Sequence, residues 1–358
     1  MSRRDVAHRA AISEQGGRTS MGFVTIRDVA RQAKVSTAAV SQVLNGKGRF
    51  SAETKKAVRR AAQDLGYIPD SRAQAMRSDS TQMVGLLVPD LRNPYFADLV
   101  SSMETMLYEH GFGALIGTSA ESVKRQDDFI MRILGQRIDG VIAVPQGADS
   151  SGIEALVSRE LPLVFVDRRV PGMDTVPYVV SDPYSGLREA LELLRRYGHR
   201  RVAYVAHPSL GSFSVNERAQ AFRSLAPTYC GPDDSAVFSC DDSAASRQST
   251  IDRILAFKAS AVIFGYSPDA IGSISLLRGL GIEIGSRISL VSFDDIDAFR
   301  LLSPQISVIS QQVQLMGRRG VEILMDRIAA GRSTSSQRSQ LVSIPTVFKR
   351  RDSVGRLS

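Results

Sequence analysis

The chain has 358 residues, 43% hydrophobic and 23% charged, with a formal net charge of +8. That length exceeds one ordinary core and predicts two or three domains of a globular protein. No run of eighteen apolar residues occurs, which excludes a membrane-spanning helix, and Cys230 and Cys240 read as buried reduced thiols rather than a disulfide.

Residues 1–20 are charged throughout and lack the apolar middle of a secretory signal. They read as a basic flexible tail, and a cytoplasmic location is expected. His8, His110, His199 and His207 show no metal-ligand spacing, so neither metal nor cofactor is expected. Residues 1–80 hold 15 Lys or Arg against 7 Asp or Glu, while residues 81–358 hold 30 of each. A compact basic segment joined to a neutral body points to a polyanionic partner.

Thr25 opens the first predicted helix, and Asp28 is spaced to reach back in a capping box. Ile26, Val29, Ala30 and Ala33 fall on one face. After a break at Lys34-Val35, Ser36 caps a second helix that runs to Leu44. Asn45-Gly46 ends it, since both residues tolerate the left-handed conformation. Ser51 opens a third, with Val58, Ala61, Ala62 and Leu65 inward and Gly66 at its close. Two short helices joined by a tight turn match the helix-turn-helix, whose second helix enters the major groove. The outward residues of that helix, Ser36, Thr37, Ala38, Ser41 and Gln42, are small or polar. Small side chains let a helix sit deep, and Gln can bond an adenine edge. The alternative is a three-helix bundle without a ligand.

The run TIRDVARQAKVSTAAVSQVLNG, followed by YIPDSRAQAM, resembles the lac-repressor/gal-repressor family of bacterial regulators, over roughly residues 24–350. The resemblance implies that Thr37, Ala38 and Gln42 face bases, and that Thr25, Ser36, Ser41 and Asn45 contact phosphate. It places a hinge helix over Asp70 to Arg77, where Arg72 adds charge. The family usually inserts a Leu there as a minor-groove wedge paired with a second subunit's; Met76 stands at that position, either as the wedge or as a linker residue packing on the core domain. A helix this short is marginal in water and needs DNA to form. The family's pattern begins near Met21, which makes that residue a candidate start. Many members carry Arg where this chain has Gln42, and Thr where it has Ala39.

From Met83 apolar runs alternate with amphipathic stretches. Strands are expected at 83–90, 114–119, 140–144, 162–167, 178–182, 201–206, 261–265 and 288–294, with helices between most of them, among them 95–110, 183–197 and 269–280. Continuous apolar strands separated by helices imply an α/β body of two doubly wound parallel-sheet lobes. Asp90, Asp167, Asp182 and Asp294 all fall at strand ends, where such sheets bind ligands, and together they suggest a polar cleft. GFGALIG, at 111–117, follows a helix and precedes a strand, the reverse of a dinucleotide fingerprint.

The motifs NPYFADL, VDRRVPG, YGHRRVAYV, NERAQAF and SFDD extend the family resemblance through the body. It implies a core like a periplasmic sugar-binding protein. Asn93, Tyr95, Phe96, Asp167 and Arg168 would line one wall, and Arg218 and Asp294 the other. The chain departs at Tyr266-Ser267, where many members have Asn-Asp, and at Asp182-Pro183. Tyr266 exchanges an amide for a phenol at the effector site and hints at an unusual or more apolar ligand.

The expected organisation is a tail over 1–20, a helix-turn-helix domain over 21–68, and a hinge and linker over 69–80. An effector-binding and dimerisation core over 81–350 and a tail over 351–358 complete it. The resulting reading is a transcriptional repressor that binds a pseudo-palindromic DNA operator as a homodimer and is tuned by a sugar or sugar derivative. No leucine heptads follow Ile328, so a dimer is expected rather than a coiled-coil tetramer. A transport-type sugar-binding protein fits the basic segment poorly. An α/β enzyme would want a nucleophile elbow, P-loop or metal cluster, and the sequence displays none.

Overall fold

The computed structural model describes residues 24–68, 80–208, 213–231, 233–241, 243–331 and 340–357. The tail over 1–20, Met21, and the hinge with Arg72 and Met76 lie outside the described residues. The chain divides into two compact units, Met1–Asp79 and Ser80–Ser358.

Among the described residues of the first unit are three helices: α1 (Ile26–Ala33), α2 (Thr37–Leu44) and α3 (Ala52–Asp64). Val29, Val40 and Val58, one from each helix, are wholly buried against one another with Ala30, Val43, Ala61 and Ala62. The polar starts hold the ends. The Asp28 carboxylate accepts both the Thr25 backbone N–H (3.0 Å) and its hydroxyl (2.7 Å). Ser36 Oγ accepts from the Ala39 N–H and Ser51 Oγ from the Thr54 N–H, each at 3.1 Å. The end of α2 differs from expectation. Only Gly46 turns left-handed (φ 68°), while Asn45 stays at φ −85° and donates Nδ2 to Ser41 O at 2.8 Å. The Asn side chain itself satisfies a terminal carbonyl, so its backbone need not turn.

Two α/β lobes form the second unit. The first lobe contains β1 (Met83–Val88), α4 (Pro94–Glu109), β2 (Gly113–Thr118), α5 (Val123–Leu134), β3 (Gly140–Ala143), α6 (Ser151–Ser158), β4 (Leu163–Val166) and β5 (Tyr178–Asp182). The second contains α7 (Tyr184–Arg196), β6 (Val202–Ala206), α8 (Phe213–Tyr229), β7 (Ser235–Ser239), α9 (Ala244–Ala256), β8 (Ala261–Phe264), α10 (Ser267–Gly279), β9 (Ser289–Phe293), α11 (Asp297–Leu301) and β10 (Ser307–Ser310). The chain then returns to the first lobe with α12 (Val313–Ala330) and β11 (Leu341–Pro345), and ends in the second with β12 (Val347–Lys349). Sheet orders are β11-β5-β4-β3-β1-β2 and β12-β10-β9-β8-β6-β7. All pairings are parallel except β10 with β12.

Both faces of each sheet are covered, as the continuous apolar strands required. Most expected strand ends shorten by a residue or two. The α12 helix lies close on α4: a Cβ at Gly317 would stand 2.7 Å from Ser102 Oγ and 3.3 Å from Leu99 O, so only glycine admits that approach.

Three crossings join the lobes, at Asp182-Pro183, Gln311-Gln312 and Thr346. Thr346 Oγ1 donates to Asp182 O (2.9 Å) and accepts from the Gly186 N–H (2.9 Å), and Gln312 Nε2 donates to Pro345 O (2.7 Å). The crossings are thus bonded to one another. Residues 351–357 differ from the tail expected over 351–358. Ser353 is fully buried and donates to Leu290 O at 2.6 Å, and Val354 joins the second lobe's core. An extended run this short carries no periodicity to announce its burial.

Candidate DNA-binding face and effector cleft

In α2, burial of Val40 and Val43 turns the opposite face outward. Thr37, Ala38 and Gln42 are exposed on it, with Ser41 half-buried beside them. Thr25, Ser36 and Asn45 are exposed at helix ends. The Gln42 side chain lies over the following loop, where a Cβ at Gly48 would stand 2.8 Å from Gln42 Oε1. Gly48 also has φ 84°, so this close turn needs glycine. Exposed cations surround the bundle, including Arg27, Lys34, Lys47, Arg49, Lys55 and Arg59. Arg31 and Arg60 make loose surface pairs with Asp28 (3.3 Å) and Asp64 (3.7 Å).

The second unit carries a narrow cleft between its lobes, at the carboxyl ends of the strands. From the first lobe it is lined by Asn93, Tyr95, Phe96, Glu121, Asp167 and Arg168. From the second come His207, Ser214, Val215, Arg218, Tyr266 and Asp294. All eight residues assigned to an effector in the sequence therefore stand around one space.

Local structure explains their placement. Asn93 Oδ1 accepts from the Tyr95 N–H (3.1 Å) and caps α4, with Pro94 at its first position. This directs Tyr95 and Phe96, packed edge to face with centroids 5.1 Å apart, at the cleft. Asp167 follows β4 and Asp294 follows β9, with φ of 66° and 68°. Aspartate enters the left-handed region more readily than most residues. The same kink thus swings a carboxylate inward from each lobe.

Asp167 accepts the Tyr95 hydroxyl at 2.7 Å. Burial raises the Asp167 carboxyl above its ordinary range even though Arg168 and Arg218 draw it down. Burial also holds the Tyr95 phenol protonated, and the Asp167 charge adds to this. Arg168 is clamped by both Glu121 oxygens (2.7 and 2.8 Å) and by Gln146 Oε1 (2.7 Å), with its guanidinium 5.8 Å from the Phe96 centroid. Arg218 donates to Gly265 O (2.8 Å) and lies 4.9 Å over the Phe293 ring. Asp294 accepts Ser267 Oγ (2.9 Å) and Gln311 Nε2 (2.6 Å).

Each lobe thus supplies an Arg–Asp pair held just too far apart to bond. Arg168 Nε stands 3.8 Å from Asp167 Oδ2, and Arg218 Nη1 stands 4.0 Å from Asp294 Oδ1. The buried Nε atoms of both arginines have no hydrogen-bond partner among the described residues. Arg169 and Glu217, 2.6 Å apart, form an ion pair from one lobe to the other.

Asp90 and Asp182 correct the expectation of four cleft acids. Asp90 accepts from the Arg92 N–H and Asp182 from the Tyr184 N–H, each at 2.9 Å, so both cap their own loops. The sequence reading missed Glu121, Gln146 and His207. Glu121 sits in a loop with Ala120 and Glu121 both left-handed, which no pattern announces. His207 follows β6 as Asp167 follows β4, and that position was its one available signal. Cys230 and Cys240 are free and buried. No helix among the described residues is long and apolar enough to cross a membrane.

Known proteins match both units. Residues 25–70 match the pattern of bacterial regulatory proteins of the lacI family, and residues 191–354 match a periplasmic binding protein-like domain. The chain is 28% identical over 314 residues to the HTH-type transcriptional repressor PurR of Edwardsiella ictaluri, covering 87% of this chain and 92% of that one. It is 29% identical over 314 residues to the ribose operon repressor of Halalkalibacterium halodurans, covering 86% and 91%. A solved complex of the transcriptional regulator CelR with cellobiose is similar at 26% identity and a TM-score of 0.65, over 92% of this chain and 99% of that one. With its helix-turn-helix and its two parallel-sheet lobes, the chain joins a DNA-binding domain like that of the lacI-family bacterial regulatory proteins to a periplasmic-binding-protein-like core.

Proposed function

We propose that this regulator is a cytoplasmic repressor that works by binding alone, as a homodimer on a pseudo-palindromic operator, and that a sugar or sugar derivative in the interlobe cleft sets its DNA affinity. The observation that carries the effector reading is the pair of Arg–Asp brackets. A hydroxyl between Arg168 Nε and Asp167 Oδ2 can accept from one and donate to the other, and the Arg218–Asp294 pair offers the same from the facing lobe. Two such brackets suit a molecule with hydroxyls on opposite sides. The similar regulator solved with cellobiose supports that class.

Thr37, Ala38 and Gln42 are assigned to base edges, and Thr25, Ser36, Ser41 and Asn45 to phosphates. Arg72 and Met76 are assigned, on sequence alone, to the hinge and its minor-groove wedge. One small helix-turn-helix buries too little for tight binding, and two half-sites related by a two-fold axis supply the rest. Ligand that favours one lobe arrangement shifts operator affinity by linkage. The test is electrophoretic retardation of the upstream region of the chain's own gene, with and without a sugar panel. Retardation that one sugar alters is expected. No retardation at moderate salt overturns the repressor reading, and retardation indifferent to every sugar overturns the effector reading.

A further inference from the structure

Glu121 stands in the loop between β2 and α5, where Ala120 (φ 45°) and Glu121 (φ 57°) are both left-handed. Two L residues in succession are costly there, so the surrounding packing must hold them. Turned back in this way, the Glu121 carboxylate meets Arg168 side-on. Oε2 accepts from Nη1 (2.7 Å) and Oε1 from Nη2 (2.8 Å). Gln146 Oε1 also accepts from Nη1, at 2.7 Å. Gln146 is fixed in turn by the wholly buried Gln126, whose amide accepts the Gln146 N–H (2.8 Å) and donates to Gln146 O (3.1 Å). The guanidinium is thereby kept facing its carboxylate.

A bidentate grip of this kind is how an arginine takes a ligand carboxylate or phosphate. Here the protein's own carboxylate fills it, on the wall of the cleft. What Arg168 leaves over is its Nε, without a partner among the described residues and with Asp167 Oδ2 only 3.8 Å away. A neutral hydroxyl suits that place and an anion does not. His207 apart, the charged lining sets three carboxylates, Glu121, Asp167 and Asp294, against two guanidinia, Arg168 and Arg218. An entering anion meets like charge in surroundings that screen it poorly.

We propose that Glu121 is a charge filter: by occupying the guanidinium fork of Arg168 it closes the cleft to anionic ligands, and without it the same fork takes a carboxylate or a phosphate. The proposal rests on the reading of the cleft as the effector site, not on the effector being a sugar. Glu121 acts by standing where an anion would bind, so its loss changes which charge the site accepts.

The test is calorimetric titration of the full chain and of its Glu121→Asn and Glu121→Asp variants. The probes are inorganic phosphate, acetate, and glucose and galactose beside their uronates and 6-phosphates. Both substitutions suit a left-handed backbone, and only the first removes the charge. Glu121→Asn is expected to bind at least one of the anions about tenfold more tightly than the parent does, while Glu121→Asp stays with the parent. Adding Arg168→Gln to Glu121→Asn abolishes the gain. Where Glu121→Asn does not fold, Glu121→Gln takes its place with the same expectation. An anion that the parent binds and Arg168→Gln loses overturns the filter. So do equal anion affinities in the two Glu121 variants, and a gain that survives the loss of Arg168. If the gain appears and no neutral sugar binds, the sugar reading falls alone. If neutral sugars bind and no anion affinity moves, the filter falls alone.

Discussion

Gln311 donates Nε2 to Asp294 Oδ1 at 2.6 Å, and through this bond a lobe crossing holds a cleft carboxylate in place. The other end of the same amide accepts Ser181 Oγ at 2.6 Å, from the end of β5 next to the Asp182-Pro183 crossing. Gln311→Leu leaves a buried carboxylate oxygen and a buried hydroxyl without their partner. It should lower stability by about 3 kcal/mol, because the desolvation of both groups is then uncompensated. Urea denaturation followed by circular dichroism measures this, and an unchanged midpoint contradicts it.

The Arg169–Glu217 pair joins the lobes but is roughly one-third exposed on each side. Pairs of that kind contribute under about 1 kcal/mol and fade in salt. Glu217→Gln should therefore weaken effector binding up to about fivefold in dilute buffer, with the difference vanishing near 1 M salt. A loss that persists at high salt would show a contact other than charge.

Asp295 anchors Arg300 (3.0 Å), Lys349 (2.8 Å) and Arg351 beside the second lobe's outer strands. Burial raises its carboxyl, but hydrogen bonds from Lys349, Arg351 and Arg300 outweigh that and hold it well below the usual carboxylate range. A depressed folded-state value stabilises the fold at every pH above the unfolded value near 4, and the contribution is lost as pH falls through the folded value. Asp295→Asn should be less stable than the parent by about 3 kcal/mol at pH 7, and the gap should narrow below about pH 4. A gap that stays constant down to pH 2 rules the ion cluster out as the cause.

On the DNA side, Gln42→Ala should change base preference at one position per half-site. Arg59→Ala should weaken all sequences alike and reduce the slope of log K against log salt by about 0.9. Binding to a randomised operator pool at several salt concentrations separates the two. Identical behaviour of both variants would place the recognition helix elsewhere.

Burial pushes the thiols of Cys230 and Cys240 up to about 11, with nearby Asp234 and Asp269 adding to the effect. Little thiolate exists at pH 8, so iodoacetamide should leave both unlabelled in the native protein and label both in urea. Mass spectrometry reads the outcome, and rapid native labelling at either site contradicts the burial.

The fold was legible where burial is two-sided. Met83–Val88 reads MVGLLV because helices cover both faces of its sheet, and a strand so placed is apolar at every position. Ser235–Ser239, Ser307–Ser310 and Leu341–Lys349 escaped, being short, rich in Ser and partly at sheet edges. In the cleft, a strand-end rule proposed four aspartates. What separates Asp167 and Asp294 from Asp90 and Asp182 is a left-handed backbone, and that depends on packing the sequence does not display. Glu121 was hidden for the same reason. It reaches Arg168 over 47 residues from a loop without a pattern.

The order in which the chain visits its lobes has a genetic consequence. Lobe one is begun at Met83 but lacks its covering helix until Val313–Ala330 and its edge strand until Leu341–Pro345. Lobe two still awaits Val347–Lys349 and the buried Ser353-Val354. A premature stop between Ser310 and Pro345 thus leaves both lobes incomplete, lobe one without Leu341–Pro345 (and without the Met316 and Leu324 packing where the stop precedes Val313–Ala330) and lobe two without the Ser353 contact to the Leu290 backbone. Ribosomes must finish almost the whole chain before either lobe can close, so nonsense alleles between codons 311 and 345 should behave as full losses of the core rather than as partial ones.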